Sequence, residues 1–153
     1  MKNFLLFKHK FCNLFIAEEN GKICGVSFNK DKITDDFEKG ETILLKEAVK
    51  QLSEYFDKKR KTFDLPLSLH GTDFQIKVWK ALQRIPFGMT SGYAQLASAI
   101  NNPKACRAVG MANNKNPIAI IIPCHRVIGS DGSLTGYAGG LNIKKLLLDL
   151  EKN

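Results

Sequence analysis

A chain of 153 residues with 44% hydrophobic and 25% charged side chains is not collagen-like, mucin-like or wholly disordered. A chain of this length buries roughly 68–70% of its unfolded surface, so it needs neither disulfides nor a metal to fold. Twenty-three Lys and Arg against fifteen Asp and Glu leave a formal charge of +8, which points to a polyanionic partner without identifying it.

At the N-terminus only Phe4-Leu5-Leu6-Phe7 separates Lys2-Asn3 from Lys8, too short for a signal-peptide core. The longest apolar run, Ile118-Ala119-Ile120-Ile121-Ile122, is far short of a membrane span. The chain reads as a cytoplasmic protein with no membrane association. Cys12, Cys24, Cys106 and Cys124 read as thiols in a reducing compartment. Phe11–Ala17 and Lys22–Phe28 flank Asn20-Gly21, a hairpin signal. Lys30–Gly40 reads as a connection, and Ile43–Phe56 as a helix with one buried stripe. Lys58-Lys59-Arg60-Lys61 fits a solvated helix end, where basic groups suit the dipole. Phe63–Leu69, with Pro66, reads as an extended linker. A boundary near residue 68 divides the chain into 1–68 and 69–153. Residues 1–69 carry thirteen basic and eleven acidic side chains, and residues 70–153 carry ten and four, so the positive field belongs to the second part.

There Thr72-Asp73-Phe74-Gln75 forms a capping box. Phe74, Val78, Ala81, Leu82 and Ile85 make a helical stripe that Pro86 ends. A second helix carries Tyr93, Leu96, Ala97 and Ile100. After Asn101-Asn102-Pro103, a third places Ala105, Ala108, Val109 and Ala112 inward and Lys104, Arg107, Met111, Asn114 and Lys115 outward. The pair fits either a helix-turn-helix or an ordinary αα-hairpin, and the basic balance favours DNA.

Ile118–Ile122 reads as a buried strand running into Pro123-Cys124-His125-Arg126-Val127. A free thiol has a pKa of roughly 8.5, so Cys124 needs a neighbouring base to act as a nucleophile; the alternative is an inert buried cysteine. His125 is the candidate base. Glu151, at the edge of the Ile143, Leu146, Leu147, Leu150 stripe, is the candidate orienting acid or else a surface Glu. Ser133-Leu134-Thr135-Gly136-Tyr137-Ala138-Gly139-Gly140 is no P-loop, but its glycines permit close approach to a flat ligand, with Tyr137 as a pocket wall.

Residues 69–151 resemble the active-site domain of the O6-alkylguanine-DNA alkyltransferases. The resemblance rests on Gly71–Gln75, Val78-Trp79, Ile85–Gly88, Arg107–Asn113, Asn116-Pro117, Ile122–Gly129, Gly136–Leu141 and Leu147–Glu151, and Pro-Cys-His-Arg-Val is its most specific run. It implies an α+β protein: a small RNase-H-like N-terminal domain, then a mainly helical domain with a winged-helix-like helix-turn-helix. It implies that Cys124 attacks the alkyl carbon on guanine O6, and that on O4-methylthymine, in a single irreversible displacement that consumes the protein. His125 would act through a water as base and Glu151 would orient it. Asn116 would tie the turn, and Tyr93 would help rotate the nucleotide and protonate the leaving guanine. Arg107 would enter the base stack in place of the flipped nucleotide. Ala105, Ala108 and Ala112 would allow close approach to the minor groove. Lys104, Asn114, Lys115 and Arg126 would join the DNA surface, while Tyr93, Tyr137, Ala138 and Gly139 would form the pocket.

The expected partner is double-stranded DNA carrying O6-alkylguanine, met by a monomer without a cofactor. His9, Cys12, Cys24 and His70 lack metal-ligand spacing, so no structural zinc is expected. Two positions depart from many relatives. Gly92 stands where Ser precedes the pocket tyrosine, and Ala138 where Ser follows the loop tyrosine. The alternative reading is an alkyltransferase-like protein that recognises lesions without transfer, but such relatives lack the reactive cysteine. A helix-turn-helix regulator would not need Cys124, His125 and Glu151 together, and a Cys-His hydrolase would need an oxyanion hole that no motif supplies.

Overall fold

The computed structural model describes residues 1–152, and the chain forms two compact units, Met1–Leu69 and a second beginning at His70. The first is built on a four-stranded sheet of order β3-β2-β1-β4. Strand β1 (Lys2–Lys8) pairs antiparallel with β2 (Asn13–Glu19) on one side and parallel with β4 (Glu38–Lys39) on the other. Strands β2 and β3 (Lys22–Ser27) form the expected hairpin. Asn20 and Gly21 turn it with φ of 51° and 76°, the positive values a type I′ turn requires. Helix α1 (Ile43–Phe56) buries Leu45, Ala48, Leu52, Tyr55 and Phe56. Thr42 caps it by accepting from the Leu45 amide at 3.1 Å and donates its own hydroxyl to the buried carboxylate of Glu18.

Residues 63–69 differ from the loose linker expected. Ile23 N donates to Pro66 O and Ser68 N to Ile23 O, both at 2.8 Å, so the segment runs along β3 as a further edge. Gln51, buried on α1, holds the approach by exchanging hydrogen bonds with the Asp64 backbone. A proline can stand in such an edge because it gives up only an amide that no neighbouring strand would use.

The second unit is mainly helical: α2 (Asp73–Leu82), α3 (Tyr93–Ala99), α4 (Cys106–Asn114) and α5 (Leu141–Glu151), with a short parallel pair, β5 (Ser91–Gly92) and β6 (Val127–Ile128). Both arms of the capping box are made, Gln75 N to Thr72 Oγ1 at 3.1 Å and Thr72 N to Gln75 Oε1 at 3.0 Å. Helix α3 begins at Gly92 without a hydroxyl cap; Gln95 instead accepts from the Gly92 amide at 2.7 Å. Trp79, fully enclosed on α2, donates its indole N–H to Ala112 O of α4 at 2.8 Å and fixes how those helices pack.

The run Ile118–Ile122 is not a strand. All five residues are buried, but Ile122 N returns to Ile118 O, Ile121 N to Ala119 O, and Ile120 has φ of +71°. The run is a tight apolar turn, a shape that a short hydrophobic stretch does not distinguish from a strand.

A Cβ at Gly71 would lie 2.7 Å from the Trp79 ring, which its hydrogen bond holds in place. Gly71→Ala is expected to cost about 1–3 kcal/mol through overpacking. Gly110, within α4, has no atom nearer than 3.6 Å to an added Cβ, so Gly110→Ala should gain up to about 1 kcal/mol. Urea denaturation of the two variants reads both signs.

Candidate active site

Cys124, His125 and Arg126 form a single 3-10 turn between Pro123 and β6, and all three are buried. Its approach is held by Asn116, just beyond α4. The Asn116 side chain donates to Ile122 O at 2.7 Å and accepts from Ile118 N at 3.0 Å, clasping both ends of the apolar turn. The same side chain lies close enough to Cys124 to favour its thiolate. Burial pushes the Cys124 thiol up to about 11, opposed by Asn116 and by the charge of Lys144.

Glu151, 4% exposed at the end of α5, joins the rest of the site. Its carboxylate accepts from His125 Nε2 at 2.6 Å, from Arg126 Nε at 2.8 Å and Nη2 at 3.1 Å, and from the Gly88 amide at 3.2 Å. Arg126 also donates to Ile85 O at 2.6 Å. Burial holds the His125 pKa below its ordinary value despite the carboxylate, so the ring is neutral. With Nε2–H committed to Glu151, Nδ1 is the accepting nitrogen, and it has no hydrogen-bond partner among the described residues. A neutral imidazole with one nitrogen fixed by an acid and the other left without a partner is the arrangement required of a general base.

Two residues not anticipated from sequence complete the cluster. Lys144 is wholly buried and donates to Val127 O at 2.5 Å and Thr135 O at 3.1 Å. Thr135 in turn shares a hydrogen bond with the Tyr93 hydroxyl at the start of α3, so the Gly-rich loop is tied on two sides. The signal was present: Lys144, Leu147 and Glu151 fall at i, i+3 and i+7, one helical face. In the loop Tyr137 and Gly139 are half-buried and Ala138 is exposed.

The α4 face is partly as expected. Lys104, Arg107, Met111, Asn114 and Lys115 are exposed and Ala105 is half-buried, but Ala108, placed inward by its spacing, is exposed as well. Ala112 is not on that face: it is 3% exposed and its carbonyl holds Trp79. Nor is Arg126 at a DNA surface. It is 6% exposed and committed to Glu151 and Ile85, because a buried carboxylate demands a cation beside it. Among the described residues no group of three or more His, Cys, Asp or Glu could hold a metal, and no helix is long and apolar enough to cross a membrane.

Comparison with known proteins agrees with this geometry. Residues 73–153 match the family described as "6-O-methylguanine DNA methyltransferase, DNA binding domain", and residues 5–69 match its "ribonuclease-like domain". A methylated-DNA–protein-cysteine methyltransferase of Methanosarcina acetivorans is 47% identical over 97% of both chains. One of Methanosarcina barkeri is 63% identical over 72% of this chain and 70% of its own. The crystal structure of Mycobacterium tuberculosis OGT in complex with DNA superposes with a TM-score of 0.92 at 43% identity, covering 98% of this chain and 92% of that one. The chain belongs to the methylated-DNA–protein-cysteine methyltransferase family.

Proposed function

We propose that this protein repairs DNA by direct reversal, moving the alkyl group of O6-alkylguanine, and of O4-methylthymine, onto Cys124 once per chain. The observation that carries the reading is the buried His125 ring next to Cys124 in the turn, its Nε2 held by Glu151 and its Nδ1 enclosed without a hydrogen-bond partner. The thiol proton passes through a single bridging water to Nδ1. The sulfur electron pair forms the S–C bond as the C–O6 bond breaks, and the electrons released into the guanine are met by a proton from the Tyr93 hydroxyl. The proton held on His125 returns through solvent to restore Tyr93, so the proton count closes. The thioether product has no leaving group at neutral pH, and the protein is spent.

The alkyl carbon is inaccessible in the duplex, so the nucleotide is flipped first, at about a few kcal/mol. We assign that task to the exposed face of α4, with Arg107 filling the vacated stack and Lys104, Asn114 and Lys115 on the backbone. Ala105 and Ala108 permit close approach to the minor groove. Tyr93, Tyr137, Ala138 and Gly139 receive the base. Residues 69–153 act as the DNA-binding and active-site domain and residues 1–68 as its RNase-H-like companion. The protein works as a monomer in the cytoplasm without a cofactor, a setting in which its four free thiols stay reduced.

With duplex carrying labelled O6-methylguanine, label should move to the protein in a burst that stops at one methyl per chain, mapped by mass spectrometry to the Cys124 peptide. Cys124→Ala should abolish transfer and keep DNA affinity; continuing turnover, or binding without transfer by the unaltered protein, contradicts the mechanism. Arg107→Ala should slow repair of duplex far more than reaction with free O6-benzylguanine, and equal losses would remove its place in the stack. Arg126→Met deprives buried Glu151 of a partner and should cost about 3–5 kcal/mol in urea denaturation. It should leave the salt dependence of DNA affinity unchanged; a slope smaller by about one would return Arg126 to the phosphates.

A further inference from the structure

The buried charges around Cys124 do not balance. Arg126 and Glu151 form a bidentate ion pair and cancel, and the His125 ring between them is neutral. Lys144, with no side-chain exposure to solvent, is the remaining cation. It bonds only to the carbonyls of Val127 and Thr135, and no carboxylate pairs with it among the described residues. No acidic or basic side chain of α2, which packs on the same turn, is buried: Asp73, Lys77 and Lys80 are exposed. An ammonium withdrawn from water without an anion is costly and is retained only where something nearby supplies negative charge. The residue whose carbonyl it holds, Val127, closes the 3-10 turn by donating its own amide to Cys124 O.

We propose that Lys144 is the counter-ion of the Cys124 thiolate, a positioning residue that lowers the energy of the anion while binding the Gly-rich loop to the strand after the turn. The site then contains two complete charge pairs, Arg126–Glu151 and Lys144–Cys124, and the second forms only when the thiol gives up its proton. The coupling is mutual, since Cys124 is the group that opposes the lowering of the Lys144 pKa by burial. The inference rests on the transfer reaction proposed above for its role, but its test does not require DNA.

Cys124 is labelled with iodoacetamide across a range of pH, and the rate at the Cys124 peptide is followed by mass spectrometry. A cation beside the sulfur favours the thiolate, so Lys144→Met should raise the pH midpoint by about one unit and slow labelling near neutrality roughly tenfold. Lys144→Arg, which keeps the charge, should recover much of the rate. Slower labelling with an unmoved midpoint would mean a purely structural lysine and overturn the proposal, as would an unaffected rate. Should Lys144→Met not fold, the coupling is read from the other partner. In Cys124→Ala protein with 13C-labelled lysine, the Lys144 Cε resonance should titrate at lower pH than in the unaltered chain; an identical titration overturns the proposal. A shifted midpoint together with no methyl transfer from DNA would leave the counter-ion standing and refute the repair reaction instead.

Discussion

The carboxylate of Glu151 is the point on which the catalytic geometry depends. Withdrawn almost completely from water, it gathers an imidazole, a guanidinium and a backbone amide on its two oxygens. Each contact has a structural consequence. The bond to His125 fixes the tautomer, and the bond to Arg126 carries the helix charge to the turn. The bond to Gly88 brings in the segment after α2, where φ of +81° and a Cβ that would stand 3.1 Å from the Glu151 carbonyl both favour glycine. A buried acid left without its cation costs far more than the intact pair contributes, so the cluster holds together as one unit.

Around that centre the site is assembled from pieces distant in sequence. Asn116 follows the exposed face of α4 directly and clasps the turn that leads to Cys124. Tyr93 opens α3 and reaches the Gly-rich loop through Thr135. Lys144 joins the loop to β6 from the opposite direction. The helices that would meet a duplex and the residues that would handle the base are thereby connected through single side chains. The small tolerances of such a site come from packing as well as hydrogen bonding, because Trp79 fixes α4 against α2 before any of these contacts is made.

Much of this was legible from residue order, for identifiable reasons. The capping box, the Asn20-Gly21 hairpin and the apolar stripe of α5 are local signals, each decided by a few neighbouring residues. Cys124, His125 and Glu151 were legible only as candidates from residue type, with an inert cysteine and a surface Glu as alternatives, and the resemblance carried by Pro-Cys-His-Arg-Val chose among them. What escaped was non-local. Phe4–Phe7 became part of an interior strand only because β2 and β4 flank it. Arg126 looked like a phosphate ligand because arginine in a basic half usually is one; only the fold shows an acid 25 residues away within 2.8 Å. Ala112 faces inward as its spacing suggests and so cannot also line a groove, whereas Ala108 of the same stripe is exposed. Lys144 was passed over because a lysine on an amphipathic helix is ordinarily solvated, and nothing adjacent to it in sequence explains its burial.

The 6% exposure of Cys124 has a consequence for the lifetime of the molecule. Cells contain many soft electrophiles and oxidants, and a protein able to act a single time would be wasted by any one of them. A thiol held in the interior presents little surface to such reagents, whereas Cys12, Cys24 and Cys106 are all more open. The reagent is thus kept in reserve by its own fold.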